Sequence, residues 1–183
     1  MSLRIVTILV LLSAACSGDE APRPNISPIP SNLGDFKLSS PAFQEGGPVP
    51  ETYSCEGEDL SPPLEWSGVP DGTAELMLTL LDPDAPGRVF THWTVFEIEP
   101  ASGGSAEGTL PDGALEGTND FGEVGYAGPC PPEGESHRYV FTLAAMAEPS
   151  ELESGAPPAQ VDAILSGAVA TTTLTGSYPG EAP

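Results

Sequence analysis

Three short polar stretches carry the chemistry this chain could do. Asp82-Pro83-Asp84-Ala85-Pro86 closes an apolar run, His92-Trp93 opens the next, and Gly125 to Gly134 (GYAGPCPPEG) leads straight into His137-Arg138-Tyr139. The chain has no histidines besides these two. Asp82 and Asp84 are two apart, so in extended backbone their carboxylates point the same way. The prolines around them remove backbone donors and stiffen the turns. A phosphate or carboxylate could take imidazole N–H donors from both His92 and His137, while Asp82 fixes an imidazole tautomer or receives an ammonium group. Each piece alone has a plainer explanation: a solvated turn for the aspartates, strand packing for His92, a surface position for His137. Together they sit at strand ends beside rigid turns, where β domains build binding sites.

No G-x-S-x-G elbow occurs, and neither histidine has a Ser or Cys partner nearby in sequence, so no activated nucleophile is visible. Two His and two Asp at this wide spacing make no metal signature. Hydrolysis by a metal-bound water is therefore the least favoured reading, and neither cofactor nor metal is expected.

The elements that must position these residues are short. Apolar bursts separated by Pro and Gly, at all-β spacing, predict strands over 36–38, 63–66, 75–81, 92–98, 138–145 and 170–175. Leu76 to Leu81 is nearly continuous apolar sequence, as in a central strand covered on both faces. After Pro157-Pro158, the stripe Val161, Ile164, Leu165, Ala168, Val169 predicts one C-terminal helix. Residues 99–136 are rich in Gly and poor in large apolar groups, which predicts a long loop region.

The N-terminus is different material. Arg4, the apolar run Ile5 to Leu12 and the small residues Ser13-Ala14-Ala15 read as a signal peptide over 1–15, too short to span a bilayer. Small residues running into Cys16 are similar to the lipobox of bacterial lipoproteins, with Cys16 the lipidated residue. Ordinary secretion with an incidental Cys is the alternative, since Ser13 stands where that pattern prefers Leu. Residues 16–34 then form a Pro- and Ser-rich tether, and 35–180 the domain. The chain is expected to be exported and held at the cell envelope, on the periplasmic or extracellular face. Cys55 and Cys130 remain, and in an exported protein such a pair reads as a disulfide, with two buried free thiols as the alternative.

Composition narrows the partners. The formal net charge is −22, from 27 acidic against 5 basic residues, which excludes nucleic acid and broad attraction to anionic lipid. Loss of the leader removes Arg4 and leaves −23. The exported part has only about 19% Leu, Ile, Val and Phe, on the disordered side of the usual line, so order must come from local pattern.

DPDAP, HW opening a strand and GPCPPEGESHRY, with SPPLEWSGVP upstream and LTGSYPG near the C-terminus, closely resemble the phosphatidylethanolamine-binding protein family, best its bacterial Raf-kinase-inhibitor-like branch. The resemblance covers roughly residues 35–180. It implies a mainly β fold, an antiparallel β-sandwich with a C-terminal α-helix and a small anion-binding pocket. It puts Asp82, His92 and His137 on the pocket wall, with Asp84, Pro131, Pro132 and Tyr139 around the mouth. The implied function is a non-catalytic binding module for phosphate, a phospholipid headgroup or a carboxylate. An inhibitor of a kinase or protease, working through the pocket rim on a protein partner, is the alternative. The segment Gly87 to Thr91 is shorter than in animal members, and Thr91 replaces their second His, so one side of their rim has no counterpart here.

Overall fold

The structure is a computed structural model that describes residues 35–179. The leader and tether expected over 1–34, Cys16 included, lie outside the described residues. Two antiparallel sheets stack face to face. The smaller has the order β1-β2-β5 and the larger β6-β4-β3-β7-β8, where β1 is Lys37–Ser39, β2 Leu64–Ser67, β3 Glu75–Asp82, β4 Phe90–Ile98, β5 Gly103–Ser105, β6 Leu115–Glu116, β7 His137–Met146 and β8 Ala170–Tyr178. One helix, α1 (Pro158–Leu165), precedes β8. The chain is therefore mainly β, as its sequence predicts.

Why β3 is almost wholly apolar follows from its two neighbours. Its inner face, with Leu76, Leu78 and Leu80, packs with Trp93, Val95, Tyr139, Phe141 and Leu143 against Leu38, Leu64 and Trp66 of the small sheet. Its outer face carries Met77, which joins Phe96, Ala144 and Met146 beneath Val161 of α1 and Leu152 and Ala156 of the segment before it. A strand buried on both sides cannot alternate polar and apolar residues. Glu75 at its start is buried and fully engaged: it accepts hydrogen bonds from the Glu97 backbone N–H and the Ser150 hydroxyl, each at 2.8 Å.

Two departures from the expected elements have local causes. The apolar stripe of the helix runs on to Val169, yet α1 stops at Leu165. The N–H of Ser166 bonds back to Asp162, Gly167 follows, and the Val169 N–H already donates to Ala145 at the entry to β8. Within the segment read as loop, Gly103–Ser105 and Leu115–Glu116 form strands because β2 and β4 offer them ladder partners. Their own residues carry no strand signal.

The outer edge of β8 is only half open. Residues 46–49 lie along its C-terminal half: Gly46 donates to Thr175, Val49 to Ser177, and Ser177 to Gly47. The Glu45 carboxylate takes the Thr175 N–H.

Candidate functional site

The site grows out of a counting error in the ladder between β3 and β4. Leu80 pairs with Trp93, but Leu81 pairs with Thr91, so His92 is an extra residue with no partner on β3. Strict alternation would send His92 to the outer face with Thr94 and Phe96. The bulge turns it inward instead, where its ring meets Tyr139 edge to face at 5.3 Å. On β7, Leu81 stands opposite Val140. That register brings the end of β3, with Asp82, level with the start of β7, with His137 and Tyr139.

Four of the expected residues therefore converge: Asp82, His92, His137 and Tyr139, all buried. His137 Nδ1–H donates to Asp82 Oδ2 at 2.7 Å, and Asp82 Oδ1 accepts the Asp84 N–H at 2.8 Å. The other ring nitrogen of His137, Nε2, lies 3.2 Å from Glu135 Oε2. A bare nitrogen there would face a carboxylate lone pair, so this geometry holds the imidazolium, flanked by two acids. Burial opposes that charge most strongly, but the bonds and charges of Asp82 and Glu135 more than offset it and raise the pKa.

His92 is the opposite case. Its Nδ1–H donates to the Ala127 carbonyl at 2.8 Å, which leaves Nε2 as an acceptor in the neutral ring, so His92 does not offer an anion the N–H donor expected from the sequence. Burial lowers its pKa, with the Ala127 bond and the Asp82 charge only partly compensating. Tyr139 is more loosely held: its buried hydroxyl makes no hydrogen bond of good geometry, although the Cys130 backbone N–H faces it, and burial pushes its pKa up.

The two histidines should consequently titrate on opposite sides of about 6.5, the ordinary value. For His137, with its folded pKa raised, the stabilisation is complete below about 6.5 and is lost as pH rises through the folded value. For His92, with its folded pKa lowered, stability drains as pH falls below about 6.5, because the unfolded chain takes up the proton first. Ring NMR signals against pH, run beside denaturant melts, check both. Two rings titrating together near the ordinary value would contradict this geometry.

The other expected residues stand beside this cluster in distinct roles. Asp84 turns to the surface and grips Arg138 with both oxygens, at 2.7 and 2.9 Å. The Arg138 guanidinium and backbone N–H hold its carboxyl down to about 2. Pro131 and Pro132 occupy the loop before His137, and the Pro132 carbonyl accepts the Glu135 N–H at 3.0 Å, forming the turn that presents Glu135. Cys55 and Cys130 are joined in a disulfide, both exposed rather than buried. It fastens the loop that carries Ala127 and hence the His92 tautomer.

Sequence reasoning missed Glu135, Phe90 and Phe121. The turn 118–124 is tied to β4 where Thr91 and Asp120 exchange backbone and side-chain hydrogen bonds at 2.9 and 2.7 Å. Arg88 pairs with Asp120 at 2.9 Å. Phe121 on this turn meets Phe90 at 4.7 Å and His92 at 5.7 Å. The available signals were faint: a lone aromatic in a Gly-flanked polar turn, and an acid two residues before a histidine.

Comparison with known proteins agrees with this fold. The family model described as phosphatidylethanolamine-binding protein matches residues 39–179. The UPF0098 protein of Methanothermobacter thermautotrophicus is 47% identical over 149 residues, covering 78% of this chain and 98% of that one. A Mycobacterium tuberculosis protein named as a lipoprotein, LppC, is 42% identical over 145 residues, 78% of this chain and 72% of that one. Among solved structures, a Chlamydia trachomatis homolog of the phosphatidylethanolamine-binding proteins has a TM-score of 0.74 at 37% identity, covering 82% of this chain and all of that one. Escherichia coli YbcL has a TM-score of 0.74 at 34% identity, with 79% and 98% covered.

Proposed function

Because the chain belongs to the phosphatidylethanolamine-binding protein family, whose fold is of a binding type, we propose that it is a non-catalytic binding module for a small oxyanion: phosphate, a phosphorylated headgroup or a carboxylate. One observation carries this reading. Glu135, a carboxylate whose side chain is 56% exposed, already docks on Nε2 of the otherwise buried His137. It is an internal stand-in for a ligand. An incoming oxyanion takes that imidazolium in its place, and the Glu135 side chain swings out from its Gly134 turn. The bare Nε2 of His92 accepts a hydrogen bond from a ligand hydroxyl or ammonium. Asp82 keeps His137 charged and oriented. Asp84, Pro131 and Pro132 hold the mouth in shape, and Tyr139 supplies a spare hydroxyl at its base.

Residues 1–15 act as an export signal in this proposal, Cys16 carries the lipid, and 16–34 are the tether that holds the 35–180 domain at the envelope membrane. Similarity to a protein named as a lipoprotein supports that arrangement.

Titrating inorganic phosphate and phosphorylethanolamine into the protein while following the histidine ring signals tests the pocket. Both rings are expected to shift together, with His137 the larger. If neither ring responds at millimolar ligand, the oxyanion reading fails.

A further inference from the structure

Three of the large apolar side chains exposed among the described residues belong to the two segments that frame this mouth: Val89 at 51%, Phe121 at 54% and Val124 at 57%. In a chain this acidic and this poor in apolar residues, such a concentration is unusual. Phe121 is also rigidly presented. The turn closes where Thr118 bridges Val124, and the Asn119 side chain accepts the N–H of Phe121 at 3.0 Å and of Glu123 at 3.1 Å. Asp120 is fully occupied with Thr91 and Arg88. Arg88 in turn lies 5.8 Å over the Phe90 ring. With Asp120 and Arg88 paired to each other, the apolar surface this side offers a ligand is Phe121 and Phe90, whose rings both contact the His92 ring.

We propose that Phe121 and Phe90 form an apolar subsite continuous with the oxyanion pocket, which seats the organic substituent of the bound anion, so that an ester or acid bearing an aromatic or acyl group is preferred to the bare anion. This rests on the oxyanion reading above. The anionic group sits at His137, and its substituent leaves past His92 along the two phenyl rings. Aromatic contacts of this kind bring about a fivefold to tenfold gain in affinity.

The test compares inorganic phosphate with phenyl phosphate by calorimetry on the protein and its Phe121→Ser variant. Phenyl phosphate is expected to bind about five to ten times more tightly than inorganic phosphate. In the variant the ratio of the two affinities is expected to fall close to one. Phe121→Leu, which keeps bulk without the aromatic face, should give an intermediate ratio. Equal affinity for the two probes in the unmodified protein overturns the subsite alone. So does a preference that survives Phe121→Ser, or a dimer that Phe121→Ser converts to monomer, which would make this surface a contact between copies. Failure of both probes to bind overturns the subsite together with the oxyanion reading.

Discussion

Replacing Asp82 by Ala is expected to cost about 3 kcal/mol of stability, because the variant leaves the buried His137 ring without the carboxylate that takes its Nδ1–H. The loss should appear as a fall of roughly 6 to 12 °C in melting temperature for a domain of this size. The milder Asp82→Asn keeps the shape and removes the charge, and it separates folding from binding. His137 is charged only because its acids outweigh its burial. Without the Asp82 charge its pKa drops, and the site holds its cation over a narrower range of pH. Phosphate affinity should then fall about tenfold or more, equivalent to about 1.4 kcal/mol. Removing an acid from an anion site would ordinarily strengthen binding by simple Coulomb attraction, so the sign discriminates. Tighter phosphate binding by a folded Asp82→Asn would show that Asp82 acts as a repelling charge rather than as the support of His137.

Reducing the Cys55–Cys130 disulfide is expected to have the largest effect on stability. The bridge spans 75 residues, and closing a loop of that length removes unfolded-state freedom equivalent to about 4 kcal/mol. The melting temperature should fall by roughly 8 to 16 °C. Because both cysteines are exposed, mild reductant reaches them in the folded protein. The effect should extend to the pocket. The N–H of Cys55 donates to Pro129 at 3.1 Å, and the same loop presents the Ala127 carbonyl that fixes His92. In Cys55→Ser/Cys130→Ser, the His92 ring signal should broaden before the His137 signal does. A reduced protein that melts where the oxidised one does would remove the bridge from the account of how so apolar-poor a chain stays folded.

Sequence pattern exposed those parts of the fold that long apolar runs build. β3, β7 and β8 each contribute many inward residues, and Leu76 to Leu81 announced a strand covered twice. β5 and β6 stayed hidden because Gly103-Gly104-Ser105 and Leu115-Glu116 are strands only through their partners. Asp82, His92, His137 and Tyr139 stood out by residue type and family resemblance, and the structure brings them together. How they combine was invisible. The inward aim of His92 depends on a one-residue slip between Leu80 and Leu81, and pairing register is a tertiary property. Glu135 and Phe121 were missed for a related reason: an acid and a phenyl ring in Gly-flanked turns acquire meaning only from the strand ends they reach.

The half-covered edge of β8 bears on crowding. Where copies of a protein are crowded, exposed sheet edges can pair and join into filaments. β8 is rich in β-branched threonines and would be a ready template. Residues 46–49 and the Glu45 carboxylate already occupy the backbone groups of Thr175 and Ser177 that point outward. By alternation along the strand, Thr171 and Thr173 are left as the outward-facing positions of β8. Two such residues make too short a ladder to hold two copies together, so residues 45–49 double as a guard against edge-to-edge association.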